Sequence, residues 1–221
     1  MKYSDVKYIY PWNPFWAKGM VISNPALLIQ GGNGTTLEVI ASGGRHYCLD
    51  YFHPDIYNFV KGYLTAEVLL DRALWLGGDI PYLQTVGYSI SADKYKNLPF
   101  YPGGKVSTAY ADTLPFDAKH VIAVVGGTPI YEDHFNVHGM FGAAVANVTR
   151  YGLPETSFAI SGSTFAGMGQ YGVAHVFNRQ NATWATLNYT ISNILNFNMF
   201  GIPTSGGNLC GVQPATNNRT E

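Results

Sequence analysis

Few side chains in this 221-residue chain could do chemistry, and their spacing limits what that chemistry could be. Ser161 and Ser163 precede His175, a set that could make an activated serine nucleophile. The G-x-S-x-G elbow of such hydrolases is absent, which favours a chance pairing. His134 and His138 stand four residues apart, so a helix would place both imidazoles on one face. Zinc there would need a third ligand, and Glu132 or Asp133 is the nearest in sequence. His46, His53 and His120 show no metal-ligand spacing, and Gly126–Gly127 lacks the lysine of a phosphate loop. No metal and no cofactor is expected.

The elements that would carry these groups follow from the apolar pattern. Phe158–Ser161 and Phe200–Pro203 are short apolar runs closed by Gly, Ser and Pro, which suits buried strands of a parallel sheet. Between them Trp184, Leu187, Ile191, Ile194 and Leu195 recur at helical spacing and predict a helix over Trp184–Phe197. Strand, loop, helix, strand is a βα repeat, so functional groups belong just after Ile160, Val176 and Pro203. Upstream, Phe59, Val60, Tyr63, Leu64, Val68, Leu69 and Leu70 predict a helix from Ile56 that runs into a short strand at Ala73–Leu76.

Residues 1–46 read as irregular, with one short strand at most in Lys18–Leu28 and a turn at Gly31–Gly34. Gly77–Phe116, rich in Gly, Pro, Ser and Tyr, reads as a long ordered excursion, and His120–Val125 as a brief apolar run. Residues 212–221 form a polar tail. No repeat and no second domain is visible, so residues 1–221 are expected to form a single unit.

Net charge is −1, which suggests neither nucleic acid nor an anionic membrane as partner. Charged residues make up 12%, about half the usual share, so part of the surface is expected to be covered by a partner, further chain or glycans. No apolar run is long enough to span a bilayer. The first residues lack the apolar core of a signal peptide. Sequons at Asn33, Asn147, Asn181, Asn188 and Asn218 are either chance in an Asn-rich chain or point to the secretory pathway or an extracellular ancestor. Cys48 and Cys210 read as free, buried thiols.

Ser163 to Gly167, Tyr171, His175, Trp184, Phe197, Asn198, Gly201, Pro203, Gly206, Cys210 and Gly211 fall in order and at the right spacing on one pattern. That pattern is R-S-T-F-A-G, then Y-A-G-H-W-x-G-D-N, then F-N-x-x-G-x-P-x-x-G-A-D-x-C-G. It resembles glycoside hydrolase family 31, the α-glucosidase and α-xylosidase family. Leu49–Pro54 is similar to the family's P-D-F-x-N-P, Leu98–Gly103 to its P-P-Y-x-P-G, and Asn136–Gly142 to its Y-x-V-H-N-L-Y-G. The resemblance runs from about residue 18 to 211. It implies an α/β fold, a partial (β/α)8 TIM-type barrel holding about four of eight strands, ending near Leu76, Ser161, Val176 and Gly206.

The resemblance also implies retaining hydrolysis of α-glucosides, which needs two carboxyl groups about 5–5.5 Å apart. The family's nucleophile lies in W-x-D-M-N-E-P, matched by Trp75–Pro81, and Gly77 stands at its position. Asp79, two residues on, is a weak substitute, because two residues keep the face of a strand but move about 6–7 Å along it. The acid/base lies in H-W-x-G-D-N, matched by His175–Gln180, and Arg179 stands there. An arginine is never deprotonated in proteins and cannot act as acid and then base. Gly162 replaces a sugar-binding arginine and Asn208 a sugar-binding aspartate. Trp75, His175, Asn208 and Phe165 remain as the family's pocket region for an α-glucoside-type carbohydrate. This copy is therefore expected to be truncated and inactive, a glycosidase-like pseudoenzyme. The alternative is a non-catalytic carbohydrate-binding or structural subunit that self-associates or takes a partner chain completing the barrel.

Overall fold

The computed structural model describes residues 9–12, 15–17, 24–41, 44–67, 73–76, 84–85, 95, 97, 114–153, 157–177 and 180–208. In chain order these form β1 (Ile9–Trp12), β2 (Phe15–Ala17), β3 (Glu38–Ala41), β4 (Gly44–Cys48), α1 (Ile56–Glu67), β5 (Ala73–Leu76) and β6 (Gln84–Thr85). There follow β7 (Lys119–Val125), β8 (Thr128–Asp133), α2 (Phe141–Gly152), β9 (Ala159–Ser161), β10 (Val173–Phe177), α3 (Trp184–Met199) and β11 (Ser205–Gly207). Short helical turns occupy Pro25–Leu27, His134–Val137, His138–Met140 and Met168–Tyr171.

The central sheet is parallel, in the order β1-β5-β9-β10-β11. Its register sets Trp12 beside Leu76, Leu76 beside Ser161, Ser161 beside His175 and His175 beside Ser205. That row is the C-terminal end of β1, β5 and β9, the middle of β10 and the start of β11; α/β folds place their chemistry where such strands end. Two further sheets are antiparallel: β2-β4-β3-β6 and the hairpin β7–β8. Among the described residues no sheet closes on itself.

Helices α1 and α2 pack on each other. Helix α1 buries Ile56, Val60 and Leu64 at i, i+4, i+8, and α2 buries Phe141, Val145, Ala146 and Val148. A side chain such as Leu64, 1% exposed, contributes about 1.5–3 kcal/mol by leaving water. The helices approach closely at Gly152, where an added Cβ would lie 2.6 Å from Leu64 Cδ1. The core also takes in Leu74 and Leu76 of β5, Ala159 of β9 and Ile202.

Several expectations need correction. Residues 1–46 are not irregular: β1, β2, β3 and part of β4 lie there, and β1 adds a fifth parallel strand to the four expected. Phe200–Pro203 is not a strand. Gly201, at φ 76°, ends α3, with Ile202 N–H bonded to Phe197 C=O (2.9 Å) and Gly201 N–H to Asn198 C=O (3.1 Å). This is a Schellman cap, and the strand starts only at Ser205. The crossover helix joins β10 to β11, so β9 and the last strand are both neighbours of β10 and not of each other. Of the apolar positions expected to pack in α3, Leu187 and Ile194 are half-buried, whereas Trp184, Ile191 and Leu195 are exposed. Cys48 is free and buried; Cys210 and most of Gly77–Phe116 lie outside the described residues.

Candidate functional site

The site is built where the parallel strands end. After β9 the chain turns through Gly162 and Ser163. Ser161 Oγ donates to Ser163 C=O (2.6 Å) and accepts from Ser163 N–H (3.1 Å), so this hydroxyl fixes its own turn. The turn is wedged against the start of α2: a Cβ on Gly142 would run into the Ser163 carbonyl oxygen. The next residue, Thr164, places its Oγ1 3.0 Å from His175 Nδ1 on β10. His175 thus meets Thr164 and does not form the serine dyad weighed above.

The His175 ring is stacked on Phe197 of α3, centroids 4.0 Å apart and 14° off parallel, with Phe177 at its edge. Burial lowers its pKa from 6.5 to about 4. A neutral, stacked imidazole held by a threonine joins β10, the β9 turn and α3. It is poorly suited to take a proton near neutral pH.

The other candidates are placed less closely together. Phe165 is exposed; its N–H points at Met168 Sδ (2.8 Å). Asn208 is exposed and directly follows β11. Trp75 contributes its backbone to β5, beside Pro11 and Ile160, and its side chain lies outside the described residues. Gly77, Asp79 and Arg179 also lie outside them. Gly207, where the family has alanine, lets Gln180 come close: a Cβ there would be 2.9 Å from Gln180 Oε1. Gln180 Oε1 and Ser205 Oγ are buried without a hydrogen-bond partner, two polar atoms that sequence patterns did not single out.

The His134/His138 pair is also not a metal site as drawn from sequence. Glu132 accepts from Asn136 Nδ2 (2.6 Å), and Asp133 is paired with Lys119 and accepts from Tyr95 (2.7 Å). Among the described residues no three His, Cys, Asp or Glu side chains converge as metal ligands. The two imidazoles instead bond each other, Nε2 to Nδ1 at 2.9 Å. His120 and Asp50 extend that contact, an arrangement invisible to local spacing because Asp50 and His120 are 70 residues apart.

The family model described as Glycosyl hydrolases family 31 TIM-barrel domain matches residues 8–221. The chain belongs to glycoside hydrolase family 31, whose catalytic domain is a (β/α)8 barrel. It is 31% identical over 168 residues to a lysosomal acid alpha-glucosidase of Tetrahymena pyriformis, covering 72% of this chain and 18% of that protein. It is 41% identical over 128 residues to a probable maltase-glucoamylase 2 of Homo sapiens, covering 56% of this chain and 5% of that one. The chain thus spans less than a fifth of these relatives. A solved glucosidase II alpha subunit shares its fold at a TM-score of 0.65 and 18% identity, over 93% of this chain and 21% of that one. A dextranase from Flavobacterium johnsoniae does so at 0.64 and 14%, over 95% and 24%.

Proposed function

We propose that this chain is a partial family 31 barrel in which hydrolysis of α-glucosides has been lost. The observation that carries this reading is the pair of substitutions at the two carboxylate positions, Gly77 and Arg179. Strand β5 ends at Leu76, the residue before Gly77, and β10 ends at Phe177, two residues before Arg179. Strands β5, β9, β10 and β11 correspond in this reading to consecutive strands of the eight. Glycine offers no attacking oxygen. Arginine places a cation where the reaction needs a proton donor beside an already cationic, oxocarbenium-like transition state. General acid–base catalysis alone is worth about 10²–10⁴-fold.

A residual sugar contact would fall to Phe165 and Asn208, both exposed at strand ends, and to Trp75, with His175 supporting them from the packed side. The test is release of phenol from an aryl α-glucoside. No turnover is expected from the chain, nor from a Gly77→Asp, Arg179→Asp double variant, because Gly162 and Asn208 also weaken substrate orientation. Turnover by the unmodified chain that vanishes in Asp79→Asn would overturn the proposal and make Asp79 the nucleophile.

A second reading, a non-catalytic subunit that docks on another chain, is favoured by the outer face of α3. Ile191, Leu195 and Met199 there are 62–84% exposed, an apolar stripe of the kind that marks contact surfaces.

A further inference from the structure

The strand-end site makes no use of the sequons. Asn33, Gly34 and Thr35 form an exposed turn ahead of β3. The turn is closed by Gly31 N–H donating to Thr35 C=O (2.7 Å) and by Gly34 N–H donating to Gly31 C=O (2.8 Å). Gly34 takes φ 78°, and a Cβ there would meet no atom within 4 Å among the described residues, so the tip stands clear of its surroundings. The base of the turn is anchored. Gln30 and Lys119 bond each other's backbone in both directions (3.3 and 2.7 Å), and Ile29 and Leu37 are buried.

Within the turn the Asn33 amide meets its own threonine. Asn33 Oδ1 accepts from Thr35 N–H (3.1 Å) and from the Thr35 hydroxyl (2.8 Å). A backbone N–H can only donate, so the atom facing it is the amide oxygen, and the hydroxyl bonded to that oxygen donates as well. Nδ2 is therefore the free end of the amide, without a hydrogen bond among the described residues. Both links span two residues, so the arrangement forms locally and needs no distant segment. The other sequons within the described residues differ. Residues i and i+2 of a helix do not face each other, which parts Asn147 from Thr149 on α2 and Asn188 from Thr190 on α3. Thr149 is also fully buried, with its hydroxyl bonded to the Val145 and Ala146 carbonyls (2.8 and 3.1 Å), and Asn147 is half-buried. Thr190 Oγ1 donates to Thr186 C=O (2.9 Å) and accepts from Gln180 Nε2 (3.1 Å). Asn181 is exposed, but Thr183 Oγ1 is taken up as the cap of α3.

We propose that Asn33 is the acceptor of an N-linked glycan and is occupied ahead of the chain's other sequons. The donor is a polyprenyl-pyrophosphate-linked oligosaccharide, presented by a membrane-bound transferase of the secretory pathway. Asn33 Nδ2 attacks C1 of the first sugar and gives one proton to a base of the transferase. The Nδ2–C1 bond forms, the C1–O bond breaks, and its electron pair leaves with the pyrophosphate. The product amide keeps Oδ1, so both bonds from Thr35 survive the transfer. A bulky, solubilising sugar on a clear turn suits a chain with 12% charged residues, about half the usual share. The site shares no residue with the strand ends, so it stands or falls apart from the loss of catalysis.

The test is glycan mapping on the full chain, made in eukaryotic cells behind a cleavable secretion leader. The chain is recovered from the medium and from the endoplasmic-reticulum membranes, so the readout does not depend on export or on a variant's folding. Enzymatic removal of N-glycans in heavy-oxygen water turns each glycosylated Asn into a labelled Asp, which peptide mass spectrometry locates. Label is expected at Asn33 in most copies and at Asn147 in none of the secreted ones. Asn33→Gln and Thr35→Ala are expected to abolish the Asn33 glycan and to speed the band on a gel by one glycan. Thr35→Ser, which keeps the hydroxyl, is expected to retain it. Unlabelled Asn33 in both fractions, more label at any other sequon than at Asn33, or a label that Thr35→Ala leaves unchanged would overturn the proposal.

Discussion

At the scale of single residues, the proposed loss of catalysis rests on polar positions of the family pattern as read from the sequence. Gly77 and Arg179 carry the proposal by residue type alone, since neither glycine nor arginine can do what a carboxylate does, and both lie outside the described residues. The partner of His175 was not legible. Sequence weighed Ser161 or Ser163 only as a chance pairing and did not point to Thr164; the Ser161 hydroxyl closes its own turn, and Thr164 faces the ring. His175 should titrate near pH 4 by NMR, neutral down to that region; titration near 6.5 would contradict the packing. The sign follows from linkage. The folded state binds this proton less readily than the unfolded chain, whose value is about 6.5. The contribution of His175 is therefore complete above pH 6.5 and is lost as pH falls towards 4. His134 and His138, lowered by burial and, for His134, also by its neighbours, act in the same direction. Thr164→Val should cost about 0.5–1.5 kcal/mol in urea unfolding by removing one hydrogen bond.

At the scale of elements, the helix α3 shows where periodicity works and where it stops. Its inner face, Leu187, Thr190, Ile194 and Phe197, runs at spacings of three and four. Thr183 caps its start by accepting from Thr186 N–H at 3.1 Å. Apolar periodicity could not separate the inner from the outer face because both carry large apolar side chains. It also misread Phe200–Pro203, since a Schellman cap buries an apolar residue after the helix, here Ile202 at 1% exposure, and so mimics a short strand. Gly201→Ala should lower stability by about 1–2 kcal/mol, the cost of a left-handed backbone for a residue with a Cβ. Gly169→Ala should be worse, because its Cβ would run into the Gly201 carbonyl oxygen. Thermal unfolding of the two variants in parallel checks the order.

At the scale of the whole molecule, the four strands expected from the family pattern are joined by β1, which sequence reading passed over. Pro11 explains why: a proline cannot donate to a ladder, so it argues against a strand unless the strand lies at an edge, and β1 does. The β1 and β11 edges of the parallel sheet and the outer face of α3 leave polar backbone and apolar side chains without protein cover among the described residues. Light scattering should show a mass that rises with concentration. An Ile191→Glu, Leu195→Glu variant should reduce that rise if α3 is the contact. A constant monomer mass over the whole range would remove the docking reading.

The hairpin β7–β8 has one more consequence, for the order in which the chain assembles. Its turn is Gly126–Gly127, both at positive φ (58° and 82°), as the tightest hairpin turns require. Such a hairpin can form in about 1–10 μs from neighbouring residues alone. It brings His120 and His134, 14 residues apart, to one end before any distant segment has arrived. Asp50 must come from 70 residues away, so its capture closes a long loop and belongs late in folding. Valine at Gly127 should therefore slow refolding about as much as it lowers stability, whereas truncating Asp50 should mainly hasten unfolding.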